Sequence, residues 1–157
     1  MIVQVRKGTI DGKINAIPSK SYAHRIAICN FLAGKDLLVD CGGFLSKDIE
    51  ATISCLTALK SGANKLYCGE SGSTLRFLIP LCACIGGHFE LFGRGRLMDR
   101  PNDELFSALN GHGVKIEQTD KVEIDGALSG GQFFIRGDIS SQYVSGLLMA
   151  LPTLKED

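Results

Sequence analysis

The sequence carries no net charge and has no long hydrophobic run. Its 157 residues contain 17 Lys and Arg against 17 Asp and Glu, so the bulk charge does not favour nucleic acid or an anionic membrane as a partner. The longest apolar stretch, FLIPLCACIGG, is too short and too rich in glycine to cross a bilayer. An anion-binding site in this chain must therefore be built locally, from a few cations placed together.

Several well-known motifs are also absent. The six cysteines include no CxxC pair and the three histidines are scattered, so metal-ligand spacing is lacking. GESGSTLR is not a P-loop, because no lysine follows its second glycine at the required place, and no GxGxxG follows a predicted strand. The opening segment MIVQVRKGTIDGKI lacks the apolar core of a secretion signal. We therefore predict buried, reduced cysteines, no metal or organic cofactor, and a cytoplasmic location.

The chain contains a repeat of about 50 residues, a length typical of stacked supersecondary units. One copy starts at SKSYAHRIAICNFLAG and a second at SGSTLRFLIPLCACIGG, with Arg25 matching Arg76 and Gly34 matching Gly86. A third copy starts at GDISSQYVSGLLMALPTL and includes only a first helix. We interpret the chain as two units and part of a third, from a longer protein. A complete domain that ends on a C-terminal helix is the alternative.

Each unit is predicted to fold as helix, strand, helix and strand. The first helices, RIAICNFLA and RFLIPLCACI, are almost wholly apolar, which predicts burial on most sides. The second helix of the first unit, KDIEATISCLTALKSG, is amphipathic, with one apolar stripe formed by Ile49, Ile53, Leu56 and Leu59. The strands are expected at DLLVDC, KLYCG, FELFG and VKIEQ. This alternation favours parallel strands with helices covering the sheet.

The first helices of the three copies begin with similar residues: PSKSYAHR, GESGSTLR and DISSQYV. Hydroxyl groups and glycines let an anion approach the unpaired N–H groups of a helix N-terminus, where the helix dipole also favours negative charge. Ser and Thr at such positions can equally be simple helix caps. However, Lys20, Arg25 and Arg76 would disfavour these helices unless an anion binds there. The pattern therefore indicates one shared site for a polyanionic small molecule.

A second basic group lies in the glycine-containing segment LFGRGRLMDRPN, which carries Arg94, Arg96 and Arg100. Arginine binds phosphate and carboxylate groups with its planar fork of N–H donors. A solvated basic loop is the alternative interpretation of this segment.

In order along the chain, SKSYAHR, SKDIEATISCLTALKSG, GESGSTLR, RLMDRPNDELFSAL and DISSQYVSGLLMALP resemble the enolpyruvyl transferase family. The resemblance implies an α/β fold of repeated βαβαββ units, an inside-out α/β barrel, with two units and a partial third here. It implies transfer of the enolpyruvyl group of phosphoenolpyruvate to the 5-hydroxyl of shikimate 3-phosphate with release of phosphate. This step leads to chorismate and the aromatic amino acids, and glyphosate targets it.

The resemblance also implies a division into domains. Residues 1–14 would be a strand belonging to an absent second domain. Residues 15–157 would be the shikimate-3-phosphate-binding domain, truncated inside its third repeat. The missing C-terminal domain of the same protein would then be the partner of this chain, with no nucleic acid and no membrane involved.

Site residues are carried over from the same resemblance. Those for shikimate 3-phosphate are Lys20, Ser21, Arg25, Ser140, Ser141 and Gln142. Those for phosphoenolpyruvate are Lys20, Gly72, Arg100 and Gln142. The chain offers no convincing catalytic acid or base, because the carboxylates near the site are interpreted as partners of helix starts or of arginines: Asp48, Asp99 and Asp103.

Two other functions stay open. The family branch that acts on UDP-N-acetylglucosamine has Lys-Asn at the first opening and usually a cysteine in the loop matching GRGRLMDRP. This chain has Lys20-Ser21 and no cysteine in that loop, which favours the shikimate branch. A non-catalytic module for phosphorylated metabolites would use the same three openings. One departure from the family pattern is Glu70, which stands where asparagine is frequent.

Overall fold

A computed structural model of the chain describes residues 3–4, 6–9, 11–13, 19–37, 39 and 45–155. The helices are α1 (Lys20–Leu32), α2 (Lys47–Lys60), α3 (Gly72–Ile85), α4 (Asp103–Leu109) and α5 (Ser141–Ala150), and a 3-10 turn follows at Leu151–Thr153. The strands are β1 (Lys65–Tyr67), β2 (Gly87–Phe92), β3 (Val114–Gln118) and β4 (Val122–Gly126). Among the described helices, none combines the length and the apolar composition that crossing a membrane requires.

The four strands form one mixed sheet in the order β1-β2-β4-β3. β1 and β2 are parallel and are connected through α3, as the alternation of helices and strands predicts. β4 runs antiparallel to both of its neighbours, so the prediction of parallel pairing is wrong for this half of the sheet. The reason is the segment VEIDG, which the sequence analysis did not count as a strand. Only residues 119–121 separate it from β3, and so short a connection forces an antiparallel hairpin.

The sheet is covered by helices on one face only within the described residues. Alternate side chains of β2, β3 and β4 point into the core, including Phe89, Ile116 and Ile124, which lie opposite one another across the three strands. The other face carries charged side chains: His88, Glu90, Lys115, Glu117, Glu123 and Asp125. The expected coverage of the sheet by helices is therefore only half correct.

α3 is the central helix of the hydrophobic core. Ten of its 14 residues are buried, as the apolar segment RFLIPLCACI predicts. Pro80 inside this helix has no N–H to donate to the carbonyl of Arg76. Gly146 of α5 packs at this point, where an added β-carbon would lie 3.0 Å from the Arg76 carbonyl oxygen and 3.1 Å from a Pro80 side-chain atom. The absence of a side chain at Gly146 therefore lets α5 lie directly against α3.

α1 is less buried than its apolar sequence predicts. It buries one face, consisting of Ala23, His24, Ala27 and Ile28, whereas Tyr22 is 68% exposed. Its main neighbours in the described part of the chain are α2 and α3, and both contact that same face. The prediction of burial on most sides is thus confirmed for α3 and wrong for α1.

α2 has the polarity expected from its sequence. Ser46 caps its first turn by accepting a hydrogen bond from the Ile49 N–H, the first turn contains Asp48, and Lys60 lies in the last turn. Gly62 follows the helix with a φ of +80°, a conformation that a residue with a side chain rarely adopts.

The cysteines in the described ranges are free thiols. Cys55, Cys68 and Cys82 are buried, as predicted, while Cys29 on α1 is exposed. Burial raises the pKa of Cys82 well above its usual value, so this thiol stays protonated and unreactive. Cys41 lies outside the described residues.

Two further strand predictions concern segments that the structure describes only in part. In DLLVDC, residues 36, 37 and 39 are described and lie outside any strand, and the rest of the segment is outside the described ranges. In the opening segment, residues 3, 4, 6–9 and 11–13 are exposed and are neither helical nor in a strand. The domain boundaries and the number of repeat units stay predictions.

Candidate functional site

The N-terminal halves of α1, α3 and α5 lie side by side. The guanidinium of Arg25 donates to the hydroxyl of Ser145 at 2.8 Å, which connects α1 with α5. It also lies 5.0 Å from the centre of the Phe77 ring on α3. Gln142 at the start of α5 donates to the hydroxyl of Ser73 at the start of α3, at 2.7 Å. The three openings that the sequence analysis singled out are therefore close enough to serve one ligand site.

The N-terminus of α3 is a buried helix start with free donors. Ser71 caps the helix by accepting a hydrogen bond from the N–H of Thr74 at 3.2 Å. The N–H groups of Gly72 and Ser73 have no acceptor among the described residues. The guanidinium of Arg100 packs against Gly72 so closely that a β-carbon at position 72 would overlap it. Two backbone donors and one cation therefore converge at a helix N-terminus, an arrangement suited to an anion.

The arginines of the segment 94–100 differ in their partners. Arg94 forms an ion pair with Glu70 at 3.0 Å, and Arg96 forms one with Asp99 at 3.7 Å. Arg100 has no carboxylate partner in the part of the chain that the structure describes. The interpretation as a solvated basic loop therefore suits the first two arginines, whereas Arg100 lies against the N-terminus of α3. The pairing also shows that the Glu70 carboxylate binds the loop arginine.

Arg76 ties structural elements together. Its Nε donates to Asn102 at 3.1 Å, its Nη1 to the side chain of Gln142 at 3.0 Å, and its Nη2 to the carbonyl of Pro101 at 3.3 Å. The guanidinium also lies 5.2 Å from the ring centre of Tyr143. Sequence reasoning counted Arg76 among the cations of the anion site. Its interactions instead fix Gln142, which is held by Arg76 on its oxygen and by α3 on its nitrogen.

Lys20 lies at the start of α1 next to the start of α2. Its ammonium group is 3.2 Å from the carboxylate of Asp48, and both side chains are substantially exposed. The carbonyl oxygen of Asp48 is in turn 3.2 Å from the hydroxyl of Thr74 in the first turn of α3. Because an exposed ion pair contributes little net stability, Lys20 can exchange this carboxylate for a ligand anion at small cost.

The serines assigned to the site have different roles. Ser140 caps α5, since its hydroxyl accepts a hydrogen bond from the N–H of Gln142 at 3.2 Å. Ser141, the first residue of the helix, is exposed, and its hydroxyl has no hydrogen-bond partner among the residues described. The carbonyl of Ser21 accepts a hydrogen bond from Arg25 at 2.7 Å, and the hydroxyl of Ser21, like that of Ser141, has no hydrogen-bond partner within the described ranges.

A buried polar chain behind the site escaped the sequence analysis. His24, Thr52, Thr74 and Ser71 are hydrogen-bonded in that order, each link being 2.7 Å long. Desolvation by burial lowers the pKa of His24 from 6.5 to about 4, although the nearby Asp48 opposes the shift. The imidazole is therefore neutral at pH 7. The series of hydrogen bonds that begins at His24 connects α1, α2 and the capping residue of α3. The only feature of the sequence that indicates this series of hydrogen bonds is the presence of threonines at buried positions of apolar helices.

A separate cluster lies on the charged face of the sheet. His88, Glu90 and Glu123 place ligand-type atoms within 4.8 Å of one another, the only such group among the described residues. Lys121 already contacts both carboxylates, at 3.3 and 2.7 Å. Hydrogen bonds that the imidazole donates to the carboxylates of Asp125 and then Glu90 raise the pKa of His88. Because Lys121 already neutralises these carboxylates, we interpret the cluster as an exposed network of ion pairs and not as a metal centre.

Comparison with known proteins gives consistent matches. A family model described as EPSP synthase (3-phosphoshikimate 1-carboxyvinyltransferase) matches residues 60–157. A 3-phosphoshikimate 1-carboxyvinyltransferase of Clostridium kluyveri is 34% identical over 177 aligned positions, which cover 99% of this chain and 41% of that protein. One from Clostridium perfringens is 35% identical over 178 positions, covering 99% and 42%. The chain therefore spans about two fifths of the length of these curated relatives.

Proposed function

The chain belongs to the EPSP synthase family, and from this premise we propose that it supplies one half of the active site of a 3-phosphoshikimate 1-carboxyvinyltransferase. The reaction moves the enolpyruvyl group of phosphoenolpyruvate to the 5-hydroxyl of shikimate 3-phosphate and releases phosphate. The observation that carries the proposal is the convergence at the start of α3 of Arg100 with the N–H groups of Gly72 and Ser73, which have no acceptor within the described part of the chain.

Phosphoenolpyruvate is assigned to the first turn of α3. Its phosphate would accept hydrogen bonds from Arg100 and from the N–H groups at Gly72, where the helix dipole adds to the attraction. Lys20 would add a second cation after releasing Asp48. Gln142 would contact the ligand from the side of α5, and its orientation is fixed by Arg76 and Ser73.

Shikimate 3-phosphate is assigned to the space between the starts of α1 and α5. Ser140 and Ser141 would contact the 3-phosphate, and Ser21 and Arg25 would contact the carboxylate end of the ring. Arg25 is supported for this role because, among the residues that the structure describes, only the Ser21 carbonyl and the Ser145 hydroxyl accept hydrogen bonds from its guanidinium. Lys20 and Gln142 would lie between the two ligands.

The cations have an energetic role as well as a positional one. Both ligands are multiply negative, so bringing them together costs several kcal/mol of repulsion unless nearby cations offset it. Arg25 is held by hydrogen bonds to Ser21 and Ser145, and the backbone that carries Arg100 is hydrogen-bonded to Asn102 and Gln118, so little reorganisation is required when the ligands bind.

We propose that the proton-transfer groups come from the part of the relatives that this chain does not match. Asp48 and Asp99 are paired with cations. Asp103 lies in the first turn of α4, where its negative charge interacts favourably with the helix dipole. A cytoplasmic location is part of the same proposal and is supported by the free thiols of the described cysteines. Transfer to UDP-N-acetylglucosamine is less favoured, because the matched family and both relatives bear the other name.

Calorimetric titration of the 157-residue polypeptide with shikimate 3-phosphate tests the proposal. We expect measurable binding, which Ser141→Ala weakens by about fivefold, since one hydrogen bond contributes about 1 kcal/mol. Ser107→Ala is a matched control, because Ser107 is an exposed serine of α4. Equal affinities of the two variants would show that the Ser141 hydroxyl does not contact the ligand and would contradict its assignment. Tighter binding of UDP-N-acetylglucosamine would favour the other branch of the family.

A further inference from the structure

We propose that Asn102 and Gln118 are positioning residues that hold Arg100 against the N-terminus of α3. The inference rests on the proposed function, because it concerns how the phosphate of phosphoenolpyruvate is bound. Neither residue belongs to the set that the sequence assigned to a ligand. Asn102 is only 1% exposed, although its side chain is a polar amide, so its hydrogen bonds need an explanation.

The amide of Asn102 is at the centre of the loop that carries Arg100. Its nitrogen donates to the backbone carbonyl of Arg100 at 3.1 Å and to the side-chain oxygen of Gln118 at 2.9 Å. Its oxygen accepts a hydrogen bond from Nε of Arg76 at 3.1 Å. Three of the four hydrogen bonds that an asparagine amide can make are thus formed in a nearly water-free position. Unlike the amide, an aspartate could not donate, and a leucine could neither donate nor accept.

Other side chains hold the same loop from neighbouring elements. Gln118 at the end of β3 donates to the carbonyl of Met98 at 2.6 Å and to that of Arg100 at 3.1 Å. The hydroxyl of Tyr143 on α5 donates to the carbonyl of Pro101 at 2.8 Å. The backbone is therefore fixed on both sides of Arg100, even though the segment contains no helix or strand.

This arrangement matters because the guanidinium of Arg100 has no hydrogen-bonding partner of its own among residues 45–155 or the shorter described segments. Its position beside Gly72 is consequently set by the backbone from which it extends. Asn102 also binds Arg76, which orients Gln142, so one buried amide connects two of the proposed contacts to phosphoenolpyruvate. Removing the amide should weaken phosphoenolpyruvate binding without removing any atom that touches it.

The test is a double-mutant cycle on the affinity of the 157-residue polypeptide for phosphoenolpyruvate. The variants are Asn102→Leu and Gln118→Met, each alone and combined with Arg100→Ala. Asn102→Leu and Gln118→Met leave the charge of the polypeptide unchanged, so a changed electrostatic potential does not imitate loss of positioning. Binding is followed through the backbone amide signal of Gly72 in nuclear magnetic resonance titrations. Asn110→Leu is the matched control, because Asn110 also bonds to β3 but lies at the opposite end of α4.

We expect each single variant to raise the dissociation constant for phosphoenolpyruvate about fivefold, which corresponds to one lost hydrogen bond. The dissociation constant for shikimate 3-phosphate should change less than twofold. In the Arg100→Ala background, Gln118→Met should not weaken phosphoenolpyruvate binding further, because the group through which it acts is gone. Asn102→Leu should keep only the smaller part of its effect that passes through Arg76 to Gln142. A purely structural role would instead lower both affinities and would persist without Arg100.

The outcomes separate this inference from the proposed function. If Arg100→Ala weakens binding while Gln118→Met does not, the positioning role is overturned and the ligand assignment stands. The same holds if the losses are additive with that of Arg100→Ala. If Arg100→Ala itself has no effect, or the polypeptide binds no phosphoenolpyruvate, both are overturned. Should Asn102→Leu fail to fold, as seen by circular dichroism, the Gln118→Met cycle decides alone.

Discussion

Gly72 is the residue at which the lack of a side chain matters most for the site. Its neighbour is the Arg100 guanidinium, and the first position of a helix accepts alanine without strain. The cost of a methyl group here therefore falls on Arg100, which has to move.

We expect Gly72→Ala to weaken phosphoenolpyruvate binding about fivefold or more, because the displaced guanidinium would lose its hydrogen bond to the phosphate, which contributes at least about 1 kcal/mol. The melting temperature should change little. Calorimetry on the variant measures the effect. Gly111→Ala serves as the control, since a β-carbon at Gly111 meets no atom within 4 Å. Unchanged affinity in Gly72→Ala would mean that the guanidinium is not needed where the structure places it.

His24 makes stability depend on pH in a defined direction. Its pKa is lowered from 6.5 to about 4, so the folded chain keeps the imidazole neutral while the unfolded chain protonates it below pH 6.5. The contribution of the neutral His24 side chain to the free energy of unfolding is fully present above pH 6.5, and it is lost as the pH falls from 6.5 toward 4. The size of the shift in the His24 pKa corresponds to a loss of about 3 kcal/mol in the free energy of unfolding.

Urea unfolding between pH 7.5 and 4.5 tests this expectation. His24→Gln should remove most of the loss, whereas His112→Gln should retain it, because His112 is outside the buried polar chain. Parallel pH profiles for wild type and His24→Gln would show that the imidazole is charged, or solvated, in the folded state.

At the level of elements, the close packing of α5 against α3 determines how near the N-terminal turns of the two helices lie in the candidate site. Gly146 lies against the Arg76 carbonyl, and the neighbouring turns carry Ser73, Gln142 and Ser145. A larger residue at position 146 would push the two helix starts apart.

Gly146→Val should therefore lower the free energy of unfolding by about 2 kcal/mol or more, since backbone atoms of α3 cannot move aside as a side chain would. Leu148→Val introduces the same residue on the same helix at a site that is 70% exposed, and it should cost about 0.5 kcal/mol from helix propensity. Thermal and urea denaturation of both variants give the comparison. Similar losses for the two would mean that α5 does not approach α3 as closely as described.

The elements also show which parts of the fold follow from sequence. The burial of α3 and the caps of α2 depend on residues close in the chain, and local periodicity predicts them. β4 was missed because VEIDG is short and half charged, and only its pairing with Phe89 and Leu91 across the sheet buries its two apolar residues. The partners of Arg76 could not be predicted either, since they come from residues 26 and 66 positions away. Distant contacts of this kind leave no periodic signal in one sequence.

The same division applies to the site. Gly72 and Arg100 could be named from motif resemblance, and the structure brings them together. Asn102 and Gln118 carry no motif, because their role arises only when the end of β3 meets the loop before α4. All the assigned ligand contacts, including those of Gly72 and Arg100, stay predictions.

At the scale of the whole molecule, the 157-residue polypeptide should bind ligands without turning them over. The proposed contacts come from one side of the ligands, which stay open to water, where each charge interaction is weaker. General acid–base catalysis typically contributes about 10²–10⁴-fold in rate, and we expect the groups that supply it to lie in the part of the relatives that this chain does not match. Incubation with both substrates should release no phosphate above background in a colorimetric assay.

Addition of the remaining part of a relative as a separate polypeptide should restore some turnover, with Arg100→Ala as the inactive comparison. Turnover by the 157-residue polypeptide alone would show that an acid–base pair exists among Asp48, Asp99 and Asp103.

The strand order also affects how folded molecules meet in solution. Within the described residues, β1 and β3 are the two outer strands of the sheet. β1 is only three residues long, and β3 carries Lys115 and Glu117 on its exposed side. Short and charged outer strands offer a poor template for pairing with a strand of another copy. The mixed sheet thus gives the folded chain built-in protection against aggregation through its edges.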